Sequence, residues 1–255
     1  MTHHLKLTAP ASSDPGFSGP GFSGPSTFSP GFSRIGGMAA LGFAAMITLS
    51  NAIMVPAGLP LTGAGPGEVT AFFATQGTAV GIGSALAPGG WILATLFGAG
   101  ALVALRRSER DRGDAWSLLG LAGLVLQNVT FAGVVATRLA LTSTAPHDPS
   151  ATVGLWALHD AVFTLNGTFL ALALVGLSVG GLRAGLIRPW HGTLGLLAAV
   201  LQFSSATLAH WVVDDDGALA LLGLAGWLIW VVWIVAYGIT LIRQNGEASR
   251  PEVRR

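Results

Sequence analysis

The run ALALLGLAGWLIWVVWIVAYGITLI, residues 218–242, decides the fold class. It contains no charge and no proline. A bilayer core about 30 Å thick needs about 20 apolar residues in helical form, so this run is long enough to cross one. Asp214, Asp215 and Asp216 stand before it and Arg243 closes it, which gives the run a polar boundary at each end.

Comparable runs recur along the chain. The expected fold is an all-α polytopic transmembrane helix bundle of six spans, at about 36–55, 78–105, 116–137, 158–182, 192–213 and 218–242. The second span is the least regular. Trp91 to Leu105 is too short to cross alone, so the helix must extend back through Pro88 toward Gly77. Pro88 removes a backbone donor and crowds the preceding turn. With Gly81, Gly83, Gly89 and Gly90 around it, the stretch predicts a kinked or interrupted helix. Pro66-Gly67-Glu68 predicts the start of a short interfacial helix over about 67–75.

Composition agrees with this class. The 255 residues are 51% hydrophobic and 10% charged, and mean hydropathy is +0.64. Soluble chains carry about 25% charged residues, so most of this chain sits where charge is costly. The absence of cysteine excludes disulfides, thiolate nucleophiles and Cys-based metal sites. Thirty-six glycines suit close helix contacts in a membrane.

Residues 1–34 are rich in Pro, Gly, Ser and Phe, with Gly-Phe-Ser at Gly16, Gly21 and Gly31. Such a segment buries too little apolar surface to offset its ordering entropy, and a disordered tail is expected. It lacks the apolar stretch of a secretory signal peptide, so the first span is expected to serve as an uncleaved signal anchor. Residues 244–255 are expected to form a second tail.

Orientation follows from the cationic residues, which favour the cytoplasmic side. With the N-terminus inside, Lys6, Arg34, Arg106, Arg107, Arg110, Arg112, Arg183, Arg188, Arg243, Arg250, Arg254 and Arg255 all fall inside. Arg138 alone of the thirteen Lys and Arg falls outside. Both termini are therefore expected in the cytoplasm, and the location is the plasma membrane. Trp116, Trp156, Trp190 and Trp211 lie near the expected span ends, as in an aromatic belt. Trp230, Trp233 and Tyr237 share one face of the sixth span, where lipid contact or packing on small residues explains them best. Leu-Leu-Gly-Leu-Ala-Gly occurs at Leu118–Gly123 and again at Leu221–Gly226. Inverted repeats would produce such a pair, but so would chance in a Leu/Ala/Gly-rich chain.

Polar groups at membrane depth usually face the bundle interior. The expected intramembrane lining is Asn128, Asn166 and Gln202; hydrogen bonds between helices account for such residues, and a polar route through the bundle is the alternative. Near the outer face, His159 and Asp160 open the fourth span, while His210 and Asp214 close the fifth. Two imidazoles and two carboxylates could hold a divalent metal or relay protons, although the spacing fits no zinc motif and interfacial solvation is the plainer reading. Gly176 and Gly180 form a small-xxx-small pair that allows close contact within the bundle or in a homo-oligomer. No catalytic residue and no cofactor is assigned. The Gly-Phe-Ser-Gly copies lie in the tail, so no intramembrane serine protease is indicated. No phosphate-binding or dinucleotide fingerprint is present, and the loop Arg106–Arg112 interleaves acids with its arginines, unlike a nucleic-acid patch. The expected partner is the lipid bilayer.

His159-Asp160 entering a span, then Asn166 and a Leu/Ala/Gly run, lead into the loop Leu182-Arg183-Ala184-Gly185-Leu186-Ile187-Arg188-Pro189-Trp190-His191-Gly192. With Pro66-Gly67-Glu68 before the second span, this pattern resembles a family of actinobacterial six-span integral membrane proteins, a domain of unknown function. The family tends toward Leu-Arg-x-Gly-x-(Leu/Ile)-Pro-Arg-Trp-(Leu)-Gly. Here Arg188 and Pro189 stand in swapped order, and His191 replaces an apolar residue. The resemblance covers about two thirds of the chain. It implies six spans and an actinobacterial source, and it implies no activity.

Three functions follow as expectations. The leading one is a non-catalytic structural, sensory or interaction role. The first alternative is a small-molecule or ion transporter or channel, which needs Asn128, Asn166 and Gln202 to face one cavity. The second is a membrane enzyme or metal site, which needs His159, Asp160, His210 and Asp214 to converge.

Overall fold

The structure is a computed structural model that describes residues 31–214 and 219–247. The expected disorder of residues 1–30 and the loop acids Asp215 and Asp216 fall outside the described residues. The described chain is all-helical. The order is α1 (Gly31–Met54), α2 (Pro66–Thr75), α3 (Gly77–Ala85), α4 (Ala87–Arg112), α5 (Trp116–Thr144), α6 (Pro149–Leu165), α7 (Gly167–Arg183), α8 (Pro189–Thr207), α9 (Ala209–Asp214) and α10 (Ala220–Glu247).

Five helical stretches are long and apolar enough to cross a membrane: Gly31–Met54, Gly77–Arg112, Trp116–Thr144, Pro149–Arg183 and Ala220–Gln244. That makes the fold compatible with a membrane location. The expected fifth span, carried by α8, is not among them. Gln202, Ser204, Ser205 and Thr207 dilute its apolar character.

The helices form a closed ring. Around it, α1 packs on α4, α4 on α5, α5 on α7, α7 on α8, α8 on α10, and α10 back on α1. Glycines let these backbones approach. A Cβ placed on Gly36 would sit 2.7 Å from the Gly100 Cα, and one on Gly238 would sit 2.8 Å from the Gly37 carbonyl oxygen. At the α5–α7 seam, a Cβ on Gly176 would lie 2.7 Å from both the Gly120 Cα and the Trp116 carbonyl oxygen. Gly180 faces Glu109, Leu105 and Trp116. The Gly176/Gly180 pair therefore makes close helix contacts within the chain.

One end of the ring, here the Glu109 end, is filled. Phe97 meets Trp233 at 6.3 Å and Tyr237 at 5.6 Å between ring centroids, edge to face. Trp230, Trp233 and Tyr237 are buried in this core. Their shared face packs inward on other helices. Glu109 is buried, and its Oε1 accepts from the Ser117 amide at 2.7 Å while Oε2 accepts from the Ser117 hydroxyl. It caps the start of α5, whose own N-cap residue, Ala115, has no polar side chain to do so. Asp114 joins Arg112 and Arg183 at 3.0 and 3.1 Å.

Several boundaries differ from expectation. Helix α1 begins at Gly31, inside the expected tail, and α10 continues to Glu247, also inside an expected tail. The break in the second span falls at Leu86, two residues before Pro88. Helix α5 runs on past residue 137 to Thr144, with Thr142, Ser143 and Thr144 bonding back to helix carbonyls. The expected fourth span begins with α6 at Pro149, nine residues earlier than expected. Asp148 caps it, accepting from the Ala151 amide at 3.0 Å, and Pro149 takes the first helical position. The Ala151 amide, then the Ser150 hydroxyl, hold the Asp148 carboxyl below the usual carboxylate range. Two further breaks, at Asn166 and Leu208, have no proline to announce them. At the first, Gly167 lets the α8 backbone approach: a Cβ there would sit 2.7 Å from the Gln202 carbonyl oxygen.

Candidate functional site

The other end of the ring, the His159 end, is hollow. A cavity of about 340 Å³ opens between the helices there. A water takes about 30 Å³ of liquid volume, so the space suits an organic molecule rather than a lone ion. It lies within the usual size range of ligand pockets. The three uneven points of the bundle gather around it: Leu86 and Ala87 at the α3–α4 break, Asn166 and Gly167 at the α6–α7 break, and Gln202 and Ser205 just before the α8–α9 break. Phe43 and Trp230, packed edge to face at 5.6 Å, close it toward the filled core.

Asn128, Asn166 and Gln202 all line this cavity, together with Gln127. Asn128 Nδ2 donates to the Trp91 carbonyl at 3.1 Å and to the Thr95 hydroxyl at 3.2 Å. Its Oδ1 is buried without a hydrogen-bond partner, as are Gln127 Oε1 and Asn166 Oδ1. Gln202 Nε2 donates to the Gly223 carbonyl at 3.1 Å and ties α8 to α10. Three buried amide oxygens without a partner among the described residues, all on side chains that line one cavity, are costly.

The second polar group was not expected. Arg138, placed by sequence just outside a span, lies within α5 and is 8% exposed. Its Nε donates to His159 Nε2 at 3.0 Å. Arginine only donates, so Nε2 is the bare nitrogen and Nδ1 carries the proton. That proton goes to Asp160 Oδ1 at 3.0 Å. Asp160 Oδ2 accepts from the Gly63 amide at 2.9 Å. A relay thus runs from Arg138 through a neutral His159 and a carboxylate to the α1–α2 loop. His159 and Asp160, expected at an interface, are 3% and 1% exposed. Trp156, expected in an aromatic belt, is buried and stacks on His159 at 4.6 Å, with Phe163 on the far face at 5.9 Å. Positions 156, 159 and 163 share one helix face.

The relay joins His159 and Asp160 of the expected cluster to Arg138. His210 is exposed on α9 beside Trp211, and the Asp214 side chain lies outside the described residues. Among the described residues no three His, Asp or Glu side chains could share a metal ion.

The α1–α2 loop lines the cavity through Leu59, Pro60, Leu61 and Thr62, and α2 packs through Val69, Phe72 and Phe73 against Leu141 and Trp156. Gly63 has φ +83, a conformation glycine adopts without strain, and its amide is the loop's bond to Asp160. Arg138 was missed because an arginine after an apolar run reads as the end of a span. The signal that could have found the true register is Asp148-Pro149-Ser150, a cap-and-proline helix start. The chain matches no family model, no curated protein and no solved structure in the comparisons made.

Proposed function

We propose that the chain is a six-span plasma-membrane protein, both termini cytoplasmic, that binds a small and largely apolar organic molecule in the cavity of its outer half. The observation that carries this reading is the gathering of three helix breaks and four amide side chains around one hollow. Transporters of several folds build substrate sites from interrupted helices in this way, so transport is the favoured use of the site. It displaces a purely structural role, which needs no hollow.

The surface supports a lipid setting for α8. Its buried residues, including Gly195, Ala198 and Gln202, face the ring, while Leu197, Val200 and Phe203 are exposed on its other side. Apolar outside and polar inside is the arrangement a bilayer favours. Taking α8 as the sixth crossing puts Arg106, Arg107, Arg110, Arg112, Arg183, Arg188 and Arg243 at the Glu109 end, which becomes the cytoplasmic side. The His159 end then faces outward. The actinobacterial resemblance is retained as part of this proposal.

Filling the hollow tests the reading. A Cβ on Gly90 would meet only the Phe43 ring, at 3.5–3.6 Å, so a larger side chain there extends into the cavity. A neutral naphthylamine dye is expected to bind the purified protein with saturable fluorescence gain. Gly90→Leu is expected to abolish the saturable part without lowering the melting temperature. Saturable binding that is equal in both proteins would refute the site.

A further inference from the structure

We infer that the ligand of this cavity is an organic acid with an apolar body, and that Arg138 binds its acidic group. The inference rests on the cavity reading above and deepens it. Arg138 lines the cavity and is 92% buried by its 8% exposure. Its one hydrogen bond uses Nε, to His159. No carboxylate lies within ion-pair distance of it among the described residues, since Asp160 is reached only through the imidazole. The fork of terminal nitrogens, Nη1 and Nη2, is therefore left for another acceptor. A guanidinium fork matches a carboxylate with two parallel bonds. The relay holds the fork in place: a locked imidazole fixes Nε, and Asp160 with the Gly63 amide fixes the imidazole.

Trp156 lines the cavity, stacked on His159, and its buried Nε1 has no partner among the described residues. The opposite end of the cavity is lined by amide side chains, Gln127, Asn128 and Asn166, whose buried oxygens have no partner among the described residues. Asn128 and Arg138 are ten residues apart on α5, about 15 Å along the helix at 1.5 Å per residue. Between them on α5 the lining is Phe131 and Val135. The site thus has a cationic donor end and an amide end, with two apolar side chains of α5 between them.

The wall toward the membrane is thin. A shallower groove on the outer face of the bundle is lined by Pro88, Trp91, Val135 and Leu139. Trp91 and Val135 line both hollows, so one layer of side chains separates the cavity from that face. An amphiphile held in the bilayer would meet the groove first.

The test compares radiolabelled decanoate with decan-1-ol, the same chain without the acid, on the detergent-solubilised full chain. Decanoate is expected to bind at least about tenfold more tightly, the value of one charge-assisted interaction. Arg138→Gln is expected to erase that preference, so that acid and alcohol bind this variant alike, and Arg138→Lys to retain part of it. Equal affinity of the unsubstituted protein for acid and alcohol overturns the role of Arg138 and leaves the cavity standing, and needs no variant to fold. Failure of both probes to bind overturns the cavity itself and this inference with it. A preference that survives Arg138→Gln overturns the assignment to this residue.

Discussion

Gly176→Leu is expected to cost about 3 kcal/mol or more of stability, at the top of the range for overpacked cores. The reason is that the obstacle is backbone. The new Cβ would lie 2.7 Å from the Gly120 Cα and the Trp116 carbonyl oxygen, and neither can rotate away. Helices α5 and α7 would have to separate, and with them the ring that encloses the cavity. In detergent the variant should lose most of its monodisperse fraction on size exclusion and melt well below the parent. Gly154→Leu is the control. Nothing lies within 4 Å of a Cβ at Gly154, which is exposed on α6, so that variant should stay within about 0.5 kcal/mol. Equal melting of the two variants would show that the α5–α7 seam is looser than described.

Asp160→Leu is expected to cost about 3–5 kcal/mol, the usual penalty for stranding a buried charge. Three effects combine. Arg138 loses the carboxylate that balances it through His159. His159 Nδ1–H loses its acceptor. The Gly63 amide loses the bond that ties the α1–α2 loop to α6. Replacing both charged ends by apolar groups can be close to neutral, so Arg138→Met/Asp160→Leu should recover a large part of the loss. A cycle of four melting temperatures measures this. If the two single losses simply add, Arg138 and Asp160 are not coupled through His159.

The helical class was legible because charge is so unevenly spread. Uncharged runs separated by arginine-rich or acid-rich turns leave little choice of element type. The α3–α4 interruption was legible through Pro88, whose missing donor acts locally. The other two breaks were not, because their cause is distant: at Asn166 the neighbouring α8 backbone occupies the space beside Gly167. Ring closure between α1 and α10 was hidden for the same reason, since Gly37 and Gly238 meet only in three dimensions. Asn128, Asn166 and Gln202 could be picked from sequence as amides in apolar runs, but Arg138 could not. Its helix outlasts its apolar stretch through Thr142, Ser143 and Thr144, which bond to their own turn. The His159-Asp160 pair was visible as chemistry but not as a buried pair, because its burial depends on the helix that Asp148 and Pro149 start. Its partner in the relay is an arginine of α5.

The proposed arrangement is an outward-facing cavity inside a six-span bundle with cytoplasmic termini. The chain has no cysteine, so single cysteines give a clean test in intact cells with a membrane-impermeant maleimide. Ser143 is exposed beyond the His159 end, Phe131 lines the cavity, and Asp111 is exposed at the Glu109 end. Ser143→Cys and Phe131→Cys are expected to label from outside, and Asp111→Cys only after the membrane is opened. Labelling of Asp111→Cys in intact cells, or protection of Phe131→Cys where Ser143→Cys reacts, would contradict the account.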